Sequence, residues 1–280
     1  MTDLQSVWED DIVPTLSEYI TIPNVSPAYD SDWEAAGHMA AAVTLVRDWC
    51  ASRPIDGLTV TVQDLPGRTP LIVCDVAASS GYEGDDTVLL YGHVDKQPPM
   101  EGWSEGLGPW TPVRRGDRLY GRGGGDDGYA AFAALAAIEE LQRQGRDHAR
   151  CVAVIEASEE SGSPDLPAHI DALGDALGDP SLVVCLDSGC PTYDRLWITT
   201  CLRGLLELKL RVEVLEEGMH SGSSGGIVPS SIRSRRMRRI RNDDGTIPPD
   251  EPECIPSSST STRSLTSSRP RRQVVIHRRS

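Results

Sequence analysis

Apolar and polar positions change their period several times along the chain, and each change marks an element. From Leu4 to Ile20, and again from Trp33 to Cys50, apolar residues recur at helical spacing. The turn Pro23-Asn24-Val25-Ser26-Pro27 separates the two. Strand-like runs follow at Leu58 to Val62, Leu71 to Val76 and Thr87 to Tyr91. The stretch from Gln97 to Gly125 is rich in Gly, Pro and Trp and reads as a long loop, a length that usually carries a task. Helical spacing returns in the Ala-rich segment from Asp127 to Gln144, which opens with aspartates where a helix N-terminus favours negative charge. Short β-branched runs then appear at Cys151 to Glu156 and Ser181 to Leu186. Strands alternating with helices predict an α/β domain, a mixed sheet flanked by helices, over residues 1–200.

From Leu196 the pattern shifts to longer alternating strands, Leu196 to Cys201 and Leu205 to Leu215. The start of a smaller α+β domain is therefore expected over residues 201–231. Residues 232–280 differ again, being Arg-, Ser- and Pro-rich and without Phe, Trp or Tyr, a composition that buries little apolar surface and predicts disorder. Charge divides at the same place: the net −15 resolves into 15 basic against 37 acidic groups up to residue 231, and 12 arginines against five acidic residues after it. The chain has 25 arginines and two lysines, which suggests GC-rich coding, and an out-of-frame reading of such a gene would favour Arg, Ser and Pro. The tail is expected to be such a continuation, with His277 a bystander in it.

The acidic balance argues against nucleic acid as a partner. The tail does not reverse this, since Asp243-Asp244 and Asp250-Glu251 interrupt its arginines and no aromatic offers a stacking platform. The first residues lack a basic and then apolar leader, and the most apolar helical stretch, Tyr129 to Ile138, is too short to span a bilayer. Seven cysteines, an odd number without a Cys-x-x-Cys pair, include Cys74, Cys151 and Cys185 inside strand-like runs, where free Cys acts as a small hydrophobe. A cytoplasmic protein without a membrane partner is expected.

Candidate chemistry gathers at the ends of the apolar runs. His93 and Asp95 follow the run ending at Tyr91, two residues apart, so a strand would place both on one side. Asp126 and Asp127 stand at a loop-to-helix junction, Glu159-Glu160 follows the next strand, and Asp187 the one after. Ligands in open α/β sheets gather beyond such strand ends. Taken singly, each has a plain structural explanation: a capped loop histidine, helix-start charges, a solvated doublet, a strand stop. Together with His93, the five carboxylates of Asp95, Asp126, Glu159, Glu160 and Asp187 would repel one another and take up protons unless a cation joined them. Mixed nitrogen and oxygen donors suit zinc, with manganese or cobalt as alternatives. Neighbouring side chains point apart, so one member of the Glu159-Glu160 doublet can ligate while the other takes a proton from a metal-activated water. Gly123-Gly124-Gly125 lacks the Gly-Lys-Ser/Thr of a phosphate loop, and neither Ser161 nor Ser221 has a catalytic-triad context.

These residues resemble the M20 family of metallopeptidases, the group of carnosinase-type dipeptidases, amino-acid deacylases and glutamate carboxypeptidases. The resemblance runs from about Tyr19 to Ser231, through Gly92-His93-Val94-Asp95, Leu119-Tyr120-Gly121-Arg122-Gly123, Asp126-Asp127, Glu159-Glu160-Ser161-Gly162-Ser163, Asp187 and Gly218-Met219-His220-Ser221-Gly222. It implies a zinc-dependent exopeptidase-like catalytic domain followed by the start of a lid or dimerisation domain. It also implies two divalent ions, with His93 and Asp187 on one, Glu160 on the other and Asp126 bridging. Asp95 would orient His93, Glu159 would be the general base and acid, and His220 would reach a partner subunit's site, which implies a homodimer. The implied reaction is hydrolysis of dipeptides or short peptides. An amino-acid deacylase, or an inactive fragment that binds metal or only mediates association, are the alternatives. Two departures stand out. Many members read Asp-Asp-Lys-Gly where this chain reads Asp126-Asp127-Gly128-Tyr129, and the family supplies a last histidine ligand from a region that this chain does not contain.

Overall fold

The computed structural model describes residues 4–187, 192 and 194–199, with the strand backbone of 206–207, 264–265 and 274–276. These fall into two units, residues 1–202 with 271–280, and residues 203–270. Of the second, the described part is one antiparallel ladder between β9 (Leu206–Glu207) and β10 (Ser264–Leu265). His220, most of the predicted strand Leu205 to Leu215 and most of the Arg-rich tail lie outside the described residues.

The first unit is built on a mixed sheet. Strands β1 (Leu58–Gln63), β2 (Leu71–Val76), β3 (Thr87–His93), β6 (Arg150–Glu156), β7 (Pro180–Cys185), β8 (Ile198–Thr199) and β11 (Val274–Ile276) lie in the order β1-β2-β6-β3-β7-β11-β8. β3 runs parallel to both β6 and β7, while β1 and β2 form antiparallel pairs at the edge. The parallel trio therefore delivers its C-terminal ends to one rim. β4 (Val113–Arg115) and β5 (Arg118–Tyr120) form a separate hairpin inside the long loop.

Period-two alternation explains the layers. Ile72, Cys74 and Val76 of β2, with Cys151, Ala153 and Ile155 of β6, enter a core shared with helices α2 (Val13–Thr21), α3 (His38–Ala51) and α4 (Ala130–Arg143). Leu71, Val73, Val152 and Val154 point to the other face, where Leu166, Ile170 and Leu173 of α5 (Leu166–Leu173) cover them. Burial on both faces is what parallel central strands require. Cys74, Cys151 and Cys185 are buried in the sheet.

Three local differences from the apolar pattern have physical causes. The first helix is not continuous: α1 (Leu4–Val7) and α2 flank a π turn at Trp8–Ile12. Pro14 removes an amide donor just after that turn, a common reason for a helix to widen. α3 starts at His38 rather than Trp33, because Gly37 adopts a left-handed φ of 73°. α4 starts at Ala130 rather than Asp127, since Asp126 and Asp127 have non-helical backbone angles inside the turn Gly124–Gly128 and are joined by a cis peptide bond. Among the described residues no helix is long and apolar enough to cross a membrane.

Candidate metal centre

The rim formed by the ends of β3, β6 and β7 carries the predicted cluster. His93 is the last residue of β3 and is fully buried. Its backbone N–H donates to Asp127 Oδ2 at 3.3 Å, and its Nδ1 lies 3.1 Å from the Asp95 carbonyl and 3.4 Å from Asp95 Oδ1. Gly92 makes this approach possible. A Cβ there would sit 2.4 Å from Ala130 Cβ and 2.8 Å from Asp127 Oδ2, so any side chain would push β3 away from α4.

The outward nitrogen, His93 Nε2, is buried and has no hydrogen-bond partner. Three carboxylate oxygens surround it at ion-pair distance: Asp126 Oδ1 at 3.5 Å, Asp187 Oδ2 at 3.7 Å and Glu159 Oε2 at 3.9 Å. Burial alone would favour the neutral ring, yet Asp126, Asp95 and Asp127 outweigh it and raise the His93 pKa to about 12. That value measures the negative charge converging on one ring. In return, His93 lowers the pKa of Asp126.

The two glutamates occupy a short 3-10 turn, Glu159–Ser161, directly after β6. Asp95, fully buried, sets that turn in place: its Oδ1 accepts the Glu159 N–H and its Oδ2 the Glu160 N–H, both at 3.0 Å. Asp95 therefore does more than orient His93, because one carboxylate also clamps the backbone of the doublet. Glu160 receives a hydrogen bond from Gln97 Nε2, while its Oε1 is buried without a partner. Burial raises the Glu160 pKa to about 7, with Gln97 opposing. Burial also raises Glu159, with His93 opposing and Asp187 and Asp95 adding.

Ligand-capable atoms form two trios within 4.8 Å, His93-Glu159-Asp187 and His93-Asp126-Glu160. The doublet divides between the trios, one glutamate to each, so both lie within ligating reach of His93. A buried imidazole nitrogen and a buried carboxylate oxygen, both unpartnered and both facing carboxylates, fit a divalent cation with nitrogen and oxygen preferences.

The structure gives Asp127 a supporting role and brings in Glu156, which the pattern did not single out. Asp127, fully buried, is pushed well above the usual carboxylate range by burial and supports the His93 backbone. Glu156 ends β6 as a buried carboxylate, accepting Tyr91 Oη at 2.6 Å and Ser163 Oγ at 2.8 Å. A glutamate closing the apolar run from Cys151 was the available signal. The departure at Gly128 is steric: a Cβ there would lie 2.2 Å from Tyr19 Cε1 and 2.6 Å from the Gly123 carbonyl oxygen.

Comparison with known proteins decides the family. The model described as "Peptidase family M20/M25/M40" matches residues 89–231, more than half of the 280-residue chain, and spans the strand ends just described. The chain belongs to peptidase family M20/M25/M40. Among curated M20 relatives and others, it is 27% identical over 238 residues to a Beta-Ala-His dipeptidase of Rattus norvegicus, covering 79% of this chain and 46% of the relative. It is 33% identical over 149 residues to a cysteinylglycine-S-conjugate dipeptidase of Corynebacterium striatum, covering 53% of this chain and 32% of that one. The fold is that of human carnosine dipeptidase 1, with a TM-score of 0.57 at 24% identity, covering 80% of this chain and 48% of the other. The dipeptidase Dug1p of Saccharomyces cerevisiae gives the same TM-score at 22% identity, over 80% and 48% of the two chains. This M20 chain thus spans less than half the length of these relatives.

Proposed function

We propose that this M20 chain carries the metal centre of a peptidase that hydrolyses the amide bond of dipeptides or short peptides with two divalent ions, zinc before manganese or cobalt. The observation that carries it is the buried, unpartnered His93 Nε2 ringed by Asp126, Glu159 and Asp187. His93, Asp126, Glu160 and Asp187 would hold the ions. Bound there, the ions supply a water acidic near neutral pH and a Lewis acid for the peptide carbonyl. Glu159 Oε2 stands 3.9 Å from His93 Nε2 and burial raises its pKa, which favours its taking a proton and passing it to the leaving amine. Asp95 holds His93 and the glutamate turn in register. His220 would act across a homodimer on a partner's substrate. The free, buried cysteines support a reducing, cytoplasmic setting.

The test is metal stoichiometry together with a dipeptide panel. The parent chain is expected to bind two zinc ions and turn over dipeptides, whereas Glu159→Ala keeps the metal and loses turnover. Equal turnover in both proteins refutes the base assignment.

A second reading, an inactive fragment that binds metal or only mediates association, draws support from the change of composition at the end of the family match. The family match ends at residue 231, where the Arg-, Ser- and Pro-rich composition begins. We assign residues 1–200 to the catalytic domain, 201–231 to the opening of a lid and 232–280 to an out-of-frame tail. Translating the other two frames beyond codon 231 tests this. Lid-like strands and a later histidine motif are expected in one of them, and their absence from both overturns the assignment. Zinc bound without turnover of dipeptides or acylated amino acids would favour the fragment, and turnover of acylated amino acids alone a deacylase.

A further inference from the structure

Lys96 is fully buried, and among the described residues it has no carboxylate within ion-pair distance. A buried ammonium without a counter-ion is costly unless other groups replace its water. Here they do. Nζ donates to the carbonyls of Tyr19 and Ile22, each at 2.7 Å, and lies 3.9 Å from the centre of the Tyr19 ring and 5.4 Å from that of Trp110. Tyr19 and Ile22 close α2, where the helix dipole favours a cation. The two carbonyls and the Tyr19 face offer partners for the three ammonium protons. Burial lowers the Lys96 pKa to about 7, which marks how little of the lost hydration these partners restore.

The neighbours of Lys96 connect this anchor to the metal centre. Its backbone N–H donates to the Asn24 carbonyl at 3.1 Å, and its own carbonyl accepts the Ser26 N–H at 2.9 Å. Asp95, one residue before, clamps the N–H groups of Glu159 and Glu160, and Gln97, one residue after, donates to Glu160. The stem fills the space beside Gly123, where a Cβ would meet three Lys96 carbons at 2.6 to 2.8 Å. The Tyr19 ring that excludes a side chain at 128 is the same ring on which the ammonium rests.

We propose that Lys96 is a positioning residue for the metal centre: its ammonium fastens Asp95–Gln97 to the C-terminal end of α2, so that Gln97 and Asp95 hold Glu160 at ligating distance. The inference rests on the metal-centre reading above and adds to it a support that touches neither metal nor substrate.

The experiment is zinc titration of the full chain by competition with a chromophoric chelator, alongside thermal unfolding of the metal-free protein. Lys96→Met is expected to weaken the less tightly held zinc by roughly tenfold or more, the scale of lost outer support, with metal-free unfolding unchanged. The double variant Lys96→Met/Gln97→Leu is expected to bind no more weakly than Gln97→Leu alone, because both changes cut one line of support. Should the methionine variant fail to fold, Lys96→Gln, which keeps donors without the charge, carries the same titration. Parental zinc affinity in a folded Lys96 variant, or losses that simply add in the double variant, overturns the inference alone. A parent chain that binds no zinc, like Asp126→Ala beside it, overturns the metal-centre reading and this inference with it.

Discussion

Replacing Asp95 by asparagine keeps the shape of the side chain and removes its charge. The Asp95 carboxylate accepts two backbone N–H groups at 3.0 Å and faces His93 Nδ1 at 3.4 Å, with no solvent exposure. Hydrogen bonds to an ionised acceptor contribute about 1.5–3 kcal/mol each. Asparagine can satisfy one N–H with its carbonyl oxygen, but its amide then meets the other N–H donor to donor, and an unsatisfied buried donor costs about 1–3 kcal/mol. In the metal-free chain part of that loss is offset, because one negative charge leaves a crowded cluster of carboxylates. With cations bound the cluster is already neutralised and no such relief remains. The substitution should therefore alter metal-free stability little and fall mainly on metal affinity. The expected loss is about 10- to 100-fold, or about 1.4–2.7 kcal/mol. Zinc competition titrations and urea unfolding of the metal-free protein measure the two quantities separately. Zinc affinity within about threefold of the parent, at any metal-free stability, would refute the clamp.

Zinc affinity should rise with pH more steeply below about pH 7 than above it, because His93, raised to about 12, gives up a proton to the metal across the whole range, and Glu160, raised by burial to about 7, adds a second below that value. Titrations at several pH values in buffers of different ionisation enthalpy count the protons released, and a count that does not change through pH 7 would exclude Glu160 as a ligand. Gly128→Ala should cost about 1–3 kcal/mol in urea unfolding, since its Cβ would meet the Tyr19 ring at 2.2 Å and a backbone carbonyl at 2.6 Å. Gly125→Ala, whose Cβ would meet nothing within 4 Å, is the control and should stay within about 0.5 kcal/mol.

Sequence pattern brought the candidate site residues to one rim because their position follows from local rules. A β-branched run predicts a strand, the parallel connection predicts a common rim, and acidic residues directly after such runs must share it. His93, Glu159, Glu160 and Asp187 were found in this way. The long helix expected from Asp127 failed for the converse reason: propensity favours helix there, but a buried tertiary partner takes the Asp127 carboxylate and the backbone bends to allow it. Lys96 and Gln97 left no mark in the pattern. Their partners, Tyr19 and Glu160, stand 77 and 63 residues away, and no period along the chain encodes such pairings.

Asp95 shows how a correct position can carry an incomplete role. Its two-residue spacing from His93 predicted support for the imidazole, and Nδ1 does face both its carbonyl and its carboxylate. The larger part of the carboxylate, however, is spent on the glutamate turn that arrives from β6. One side chain thus ties the histidine common to both trios to the glutamates that distinguish them. Any displacement of Asp95 shifts nitrogen and oxygen donors together, so removing its charge should weaken both metal positions, whereas removing Gln97 should weaken only the one that contains Glu160.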